Sequence, residues 1–184
     1  MALREITFFP EAALQSILYI LQSLGGKATV HQILKVRYFA DKLHLAEFGW
    51  IASGDRYCAM QFGPVASRTY DLLKAARPEV SSEHVPPKFR ELAQAALDAS
   101  LYPALVARRA ADESQMSAAD RNSLNAAIDQ CKGWGFAKRT NESHDQAWKE
   151  ARERWQKNGD MDMPVDSIAG TLANAEEVIQ HLAS

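Results

Sequence analysis

The chain has 184 residues, of which 47% are apolar and 24% are charged, and its formal net charge is −2. This balance is typical of a globular domain, and it argues against a disordered chain and against a dedicated nucleic-acid binder, which carries a basic excess. The two cysteines, Cys58 and Cys131, form no CxxC pair and fit free thiols in a reducing cytoplasm. Residues 1–10 lack the apolar region of a signal peptide, and no apolar run approaches the roughly 20 residues of a membrane span. We therefore expect a cytoplasmic protein without membrane contact.

The first fifty residues predict two helices. Pro10 suits the first turn of a helix whose apolar positions recur with helical spacing until Gly25 and Gly26 end it. Thr29 is expected to cap a second helix that runs to about Phe48. This second helix is apolar on more than one face, which predicts a central position in the domain.

A short β-hairpin is predicted after the second helix. Residues 58–62 read Cys-Ala-Met-Gln-Phe, with the period-two alternation of a strand, and turn-forming residues precede them at positions 53–55. Gly63 and Pro64 are expected to end the strand. Pro64 is also expected to start the next helix, which ends before Pro78.

The second half predicts further helices. They are expected over residues 89 to about 100, 118 to about 131, 145–157 and 174–182, with a short one starting at Pro164. Ser117 is the expected cap of the helix that starts at residue 118. Residues 101–109 alternate loosely and predict a short strand, which Pro103 would restrict to a sheet edge. The predicted fold class is therefore mainly α, a single compact helical domain over residues 1–184 with a small inserted β-hairpin.

Catalytic and metal-binding patterns are missing from the sequence. The five histidines lack HExxH or CxxC partners, and no GxSxG, GxxxxGK or GxGxxG motif occurs. Asp41, Asp55 and Asp71 are possible acid–base residues, but such carboxylates are more often turn formers or surface pairs. We expect a protein that is not an enzyme and needs no cofactor or metal.

The most informative segment runs from Tyr38 to Lys74 and reads YFADKLHLAEFGWIASGDRYCAMQFGPVASRTYDLLK. Its distinctive positions are Tyr38, Asp41, His44, Gly54, Asp55, Arg56, Tyr57, Gly63, Pro64, Val65, Ser67 and Tyr70. The segment strongly resembles the core of Panacea domains, also called SocA-like antitoxin domains. Weaker similarity at residues 116–120, 144–148 and 164–168 extends the resemblance to about residues 10–170.

The resemblance implies an antitoxin of a type II toxin–antitoxin system. Its partner would be a cognate toxin protein that it neutralises by direct protein–protein binding. Some members of the family instead act as adaptors that deliver a toxin to a cytoplasmic protease. The tryptophans Trp50, Trp134 and Trp155 are the candidate anchors for such a partner, because tryptophan is enriched where protein interfaces concentrate their binding energy.

The motif itself is interpreted mainly as a scaffold, with direct partner binding as the alternative. Gly54 and Gly63 are expected to hold backbone angles that other residues disfavour. Asp55 is expected to accept backbone hydrogen bonds in the turn. Residues that identify a family by their sequence need not be those that touch its partners.

The alternative function is a winged-helix-like DNA-binding transcriptional regulator. The predicted order of helices followed by a two-stranded hairpin is also the order of elements in a winged-helix domain. Its basic face would comprise Lys35, Arg37, Lys42, Arg56 and Arg68. The helix that carries Lys35 and Arg37 is apolar on most sides, however, and leaves little surface for a DNA groove. DNA binding is therefore expected to be weak or absent.

Overall fold

The computed structural model describes residues 7–81, 83 and 85–183. Most of residues 1–10, in which no signal peptide was found, and His84 therefore lie outside the described residues. Within these residues the helices are α1 (Pro10–Ser23), α2 (Val30–Phe48), α3 (Ser67–Ala75), α4 (Pro87–Ala96), α5 (Ala118–Cys131), α6 (Phe136–Ser143), α7 (Gln146–Asn158), α8 (Val165–Ala169) and α9 (Ala175–Leu182). The strands are β1 (Lys27–Thr29), β2 (Tyr57–Met60), β3 (Gly63–Ala66), β4 (Leu97–Asp98), β5 (Ala104–Ala107) and β6 (Asp162–Met163). The expected mainly α fold is confirmed.

Helix α2 lies at the centre of the fold, as its apolar positions on several faces predict. The Thr29 hydroxyl accepts the backbone N–H of Gln32, and the Gln32 side chain accepts the backbone N–H of Thr29, which forms a capping box. Helix α5 packs along α2, and the hairpin, α3 and α6 contact its other sides. Because α2 is enclosed, its charged residues Lys35, Arg37 and Asp41 are buried together with its apolar ones.

A short hairpin is present, but its turn lies at residues 61–62 and not at the turn-forming residues 53–55, so the strand predicted over 58–62 is its first strand. Strands β2 and β3 pair antiparallel across a turn made by residues 61 and 62. Gly63 and Pro64 therefore belong to β3, and the prediction that they end the strand is wrong. Helix α3 starts at Ser67, so the prediction that Pro64 starts it is wrong as well.

Proline is tolerated in β3 because of where the strand lies in its sheet. The strand order is β3-β2-β6, so β3 is an edge strand. Pro64 faces Ala59, whose own N–H donates to the carbonyl of Met161 on the opposite side. The pairing of β2 with β3 thus needs no N–H from Pro64. Proline is tolerated in a sheet at such positions of an edge strand.

A second sheet, of order β1-β5-β4, was not predicted apart from the strand within residues 101–109. Helix α4 ends at Ala96 and not near residue 100, because Leu97 adopts an extended backbone and pairs with Ala107. Strand β5 is central, so the prediction of an edge strand is wrong. Pro103 precedes the strand, and its carbonyl accepts the backbone N–H of Val30.

The remaining helices follow the sequence signals closely, with one omission. Ser117 caps α5 as expected, since its hydroxyl accepts the backbone N–H of Asp120. Helix α6 was missed, because Gly133 and Gly135 in front of it favour a loop. Among the residues described, none of the helices combines the length and the apolar character needed to cross a membrane.

Candidate functional site

Asp41 on α2 is the centre of a buried polar network that joins the helix to the hairpin. One carboxylate oxygen accepts the Arg37 guanidinium at 2.8 Å and the backbone N–H of Ser53 at 3.1 Å. The other accepts the Ser53 hydroxyl at 2.5 Å and the Tyr57 hydroxyl at 2.6 Å. Asp41 is 2% exposed, so these donors replace the water that a buried carboxylate loses. Burial and the Asp41 charge raise the pKa of Tyr57 well above its ordinary value, which keeps the phenol a donor.

Arg37 extends this network to α5. Its guanidinium contacts Asp41 at 2.8 Å and Asp120 at 3.0 Å. Burial by itself lowers the pKa of Arg37, but the two carboxylates outweigh it and raise that pKa above its ordinary value. One guanidinium therefore faces two carboxylates, and the three groups together carry a formal charge of minus one.

A second network joins α2 to α7 through Asp145. One carboxylate oxygen accepts both the Tyr38 hydroxyl and the Lys42 ammonium at 2.7 Å, and the other caps α7 by accepting the backbone N–H of Trp148. Burial and the Asp145 charge raise the pKa of Tyr38 well above its ordinary value. The residue that caps α7 thus also anchors this helix to the central helix.

Asp55 connects the hairpin entry to α3. Its carboxylate accepts the backbone N–H groups of Arg56 at 2.7 Å, Arg68 at 2.9 Å and Thr69 at 2.7 Å. The prediction that Asp55 accepts backbone hydrogen bonds is confirmed, and two of the three come from the first turn of α3. Burial raises the pKa of Asp55, whereas these hydrogen bonds act in the opposite direction.

Lys35 is buried to 1% exposure and donates to the Pro64 carbonyl at 2.7 Å. Burial lowers its pKa to about 7. Gly63 adjoins it with a φ of +100°, and a β-carbon on Gly63 would come within 2.9 Å of the Lys35 nitrogen and closer still to the Ser143 hydroxyl. Burial, followed by the charges of Lys35 and Arg139, lowers the pKa of His31 to about 4. The start of α2 therefore packs tightly against the hairpin.

The C-terminal end of α2 borders a cavity of about 510 Å³, which we call the Trp50 cavity. Its lining includes His44, Phe48, Trp50, Met116, Ala119 and Asp120. The rings of His44, Phe48 and Trp50 lie 4.6–5.9 Å apart, and Trp50 is 55% exposed. The Nδ1 atom of His44 is 2.9 Å from the Trp50 carbonyl and so donates to it. The cavity therefore combines aromatic walls with one carboxylate.

The other end of α2 borders an exposed apolar surface, which we call the hairpin-end surface. It is formed by Phe62 and Phe136, and we group with them two other exposed side chains, Met60 of the hairpin and Trp155 of α7. The four are between 39% and 50% exposed. The rings of Phe62 and Phe136 lie 5.3 Å apart. Arg152 stacks on Trp155 and donates to the Ala59 carbonyl, which joins α7 to the hairpin. His31 contacts Phe136, whereas His44 lines the Trp50 cavity. At 1.5 Å per residue along α2 these two histidines are about 20 Å apart.

The residues singled out by the sequence separate into buried and accessible groups. The buried motif residues are Tyr38, Asp41, His44, Asp55, Tyr57, Gly63, Pro64 and Val65. Gly54, Ser67 and Tyr70 are half-buried, and Arg56 is exposed. Of the candidate anchors, Trp50 and Trp155 are exposed, whereas Trp134 is half-buried against Phe39. Gly54 and Gly63 both have positive φ, which confirms the prediction of unusual backbone angles.

The basic face proposed for the DNA-binding alternative does not form. Lys35 and Arg37 are each 1% exposed, and Lys42 is held by Asp145. The prediction that these cations share a surface with Arg56 and Arg68 is wrong, because α2 is enclosed on the sides that carry them.

Sequence reasoning missed several residues of these surfaces. Asp120 appeared only as a helix-capping residue, and neither Phe62 nor Phe136 was considered a partner contact. The available signal was weak, since a single apolar residue in a turn or at a helix start carries no periodicity. Asp71, one of the three possible acid–base residues, forms an ion pair with Lys74. No cluster of three or more His, Cys, Asp or Glu side chains suited to a metal ion occurs among the described residues.

Comparison with known proteins gives one match. The model of the family described as antitoxin SocA-like, Panacea domain, matches residues 33–149. This range is narrower than the resemblance expected for residues 10–170, and it contains most of α2, the hairpin, Trp50 and Asp120. No curated protein and no solved structure matches the chain. Because the family match spans more than half of the 184 residues, the protein belongs to the SocA-like antitoxin family with the Panacea domain.

Proposed function

We propose that the chain is the antitoxin of a type II toxin–antitoxin pair, and that it neutralises a cognate toxin in the cytoplasm by binding it directly, without catalysis. The observation that carries this proposal is the family match over residues 33–149. It includes the polar networks of Asp41 and Asp55 and the aromatic residues that border the Trp50 cavity.

The geometry supports binding over acid–base chemistry. The carboxylates of Asp41 and Asp55 are buried and hydrogen-bonded to the protein's own donors. Aromatic side chains, by contrast, are exposed to solvent at Trp50 and on the hairpin-end surface. Exposed aromatic side chains that lie together, as those of Phe62 and Phe136 do, are typical of interaction sites.

Inhibition by a binding protein requires high occupancy of the toxin. At micromolar cellular concentrations, a dissociation constant near 1 nM, about 12 kcal/mol, keeps nearly all of the toxin bound. Interfaces of this strength bury on the order of 1,600 Å² and depend on a few aromatic or arginine anchors. The two aromatic surfaces provide such anchors near both ends of α2.

The test is co-expression with the product of the neighbouring gene. We expect that product to arrest growth alone, and the chain to restore growth and to co-purify with it as a stable complex. Trp50→Ala and Trp155→Ala probe the two surfaces, and Leu101→Ala is the matched control, because Leu101 is 55% exposed but belongs to neither surface.

Toxin abundance, followed by immunoblot, distinguishes neutralisation from delivery to a protease. Rescue with undiminished toxin and a recoverable complex supports direct neutralisation. Rescue with a loss of toxin that depends on a cytoplasmic protease points to an adaptor. A neighbour that is harmless alone, or rescue without either a complex or toxin loss, contradicts the proposal.

A further inference from the structure

The Trp50 cavity has a chemical character that the antitoxin function does not specify. Its aromatic side is formed by Phe48 and Trp50, with ring centroids 5.9 Å apart. Its lining also includes Asp120, at the start of α5, whose side chain is 18% exposed. Aromatic faces next to a carboxylate favour a cation, because the ring quadrupole and the negative charge attract positive charge together.

The charges beneath the cavity point in the same direction. Arg37 bonds one oxygen of Asp120 and one of Asp41. Asp41 receives further hydrogen bonds from Ser53 and Tyr57, whereas the second oxygen of Asp120 accepts no hydrogen bond from the part of the chain that the structure describes. Of the two carboxylates, the one that borders the cavity is therefore the one with an oxygen left to receive a cation.

His44 adds an acceptor to the same lining. Its Nδ1 donates to the Trp50 carbonyl, so in the neutral ring Nε2 carries the acceptor lone pair. The cavity volume of about 510 Å³ is ample for one long side chain. Arginine presents several donors in a planar fork that stacks on aromatic rings, and lysine presents a compact ammonium group.

We propose that the Trp50 cavity binds a basic side chain, arginine first and lysine second, of the partner protein, with the cation between the aromatic rings and the Asp120 carboxylate. This inference rests on the proposed function, since the partner is the toxin. It specifies the chemistry of the contact, which is a protruding basic residue on the toxin surface.

The experiment uses the full-length, ¹⁵N-labelled chain and small probes in place of the toxin. The first probe is N-acetyl-arginine amide, and the second is N-acetyl-citrulline amide, which has nearly the same shape but no charge. The indole N–H signal of Trp50 is identified from its absence in Trp50→Phe. We expect it to shift saturably with the arginine probe at millimolar concentrations and far less with the citrulline probe.

Two variants locate the effect. Asp120→Asn should weaken binding of the arginine probe about fivefold or more. The matched control is Asp129→Asn on the exposed side of the same helix, which should leave it unchanged. Trp50→Ala keeps the Arg37–Asp120 pair intact and should weaken binding of the arginine probe about two- to fivefold. Because this variant lacks the Trp50 indole signal, its binding is measured from the backbone amide signals of Ser117 and Ala119. This second variant keeps the test valid if Asp120→Asn does not fold.

Equal shifts with the two probes, or no shift at tens of millimolar, would overturn the proposal. An effect of Asp129→Asn equal to that of Asp120→Asn would also overturn it. The outcome is separable from the antitoxin test. If the arginine probe binds and the chain fails to rescue growth, the proposed function fails while the cavity chemistry stands. If growth is rescued and the arginine probe does not bind, only the cavity proposal fails.

Discussion

The hydroxyl of Tyr57 donates a hydrogen bond of 2.6 Å to the carboxylate of Asp41, inside the core, and thereby ties β2 to α2. The two rings of Tyr38 and Tyr57 meet edge to face at 5.1 Å beside it. Because Asp41 also holds Arg37 and Ser53, this carboxylate connects the central helix to the hairpin and to the loop between them.

Tyr57→Phe should lower the free energy of unfolding by about 1–3 kcal/mol, because it removes one donor from a buried carboxylate and leaves the packing intact. Urea denaturation measures the change. Tyr19→Phe is the control, since the Tyr19 hydroxyl bonds Asn125 at an exposed site and its loss should cost no more than about 0.5 kcal/mol. Equal effects in the two variants would mean that the Asp41 network adds little to stability.

Asp55→Ala should destabilise the fold by about 1–2 kcal/mol, the usual effect of removing a helix cap, because two N–H groups of α3 lose their acceptor. Thermal unfolding followed by circular dichroism measures it. Asp112→Ala removes a carboxylate that caps an exposed turn at Ser114, and we expect a much smaller change. A melting curve for Asp55→Ala that overlays the wild type would contradict the assignment of Asp55 as the cap of α3.

Gly63→Ala should cost about 1–3 kcal/mol more than Gly159→Ala. Both glycines have positive φ, at +100° and +80°, so a β-carbon adds backbone strain in both variants. A β-carbon at Gly159 meets nothing within 4 Å, whereas one at Gly63 meets Ser143 and Lys35. The difference between their unfolding free energies reports this close contact together with any difference in backbone strain. Gly63→Val should be worse than either variant. A difference near zero would show that Ser143 and Lys35 move aside freely.

The stability of the wild type relative to Lys35→Met should rise between pH 7 and pH 9. Burial lowers the pKa of Lys35 to about 7 in the folded chain, whereas an unfolded lysine titrates near about 10.4. In between, the unfolded state binds more protons, so stability increases with pH, by at most about 1.4 kcal/mol per pH unit. Taking the difference between the two proteins cancels groups common to both, such as the Cys131 thiol, whose pKa burial raises to about 11. Parallel curves would indicate that Lys35 stays charged.

Trp50→Ala should weaken the complex with the cognate toxin at least about tenfold, as expected for an aromatic anchor, while thermal stability changes little because Trp50 is exposed. Isothermal titration calorimetry gives the affinity, and Leu101→Ala serves as the control. Trp155→Ala is the comparison on the hairpin-end surface. A tenfold loss there and none at Trp50 would mean that Trp155, and not Trp50, makes the principal contact with the toxin.

The amino-acid sequence alone determined the starts of most helices. Thr29 with Gln32, Ser117 and Asp145 each satisfy N–H groups within one turn of their own position, so the signal and the structure that it predicts lie in the same few residues. The enclosed position of α2 also followed from its apolar faces, and the motif from Tyr38 to Lys74 was enough to identify the family.

Only the tertiary structure decided which polar groups meet and which side chains stay exposed. Asp120 reaches Arg37 across 83 positions of the chain, and Tyr38 reaches Asp145 across 107. Lys35 and Arg37 suggested a basic face, but packing of α5, α6 and the hairpin around α2 buries them. Trp50 and Trp134 look equivalent in the sequence, yet Phe39 packs against only the second of them. Burial and long-range pairing depend on the elements that close around a residue, and a local pattern does not contain that information.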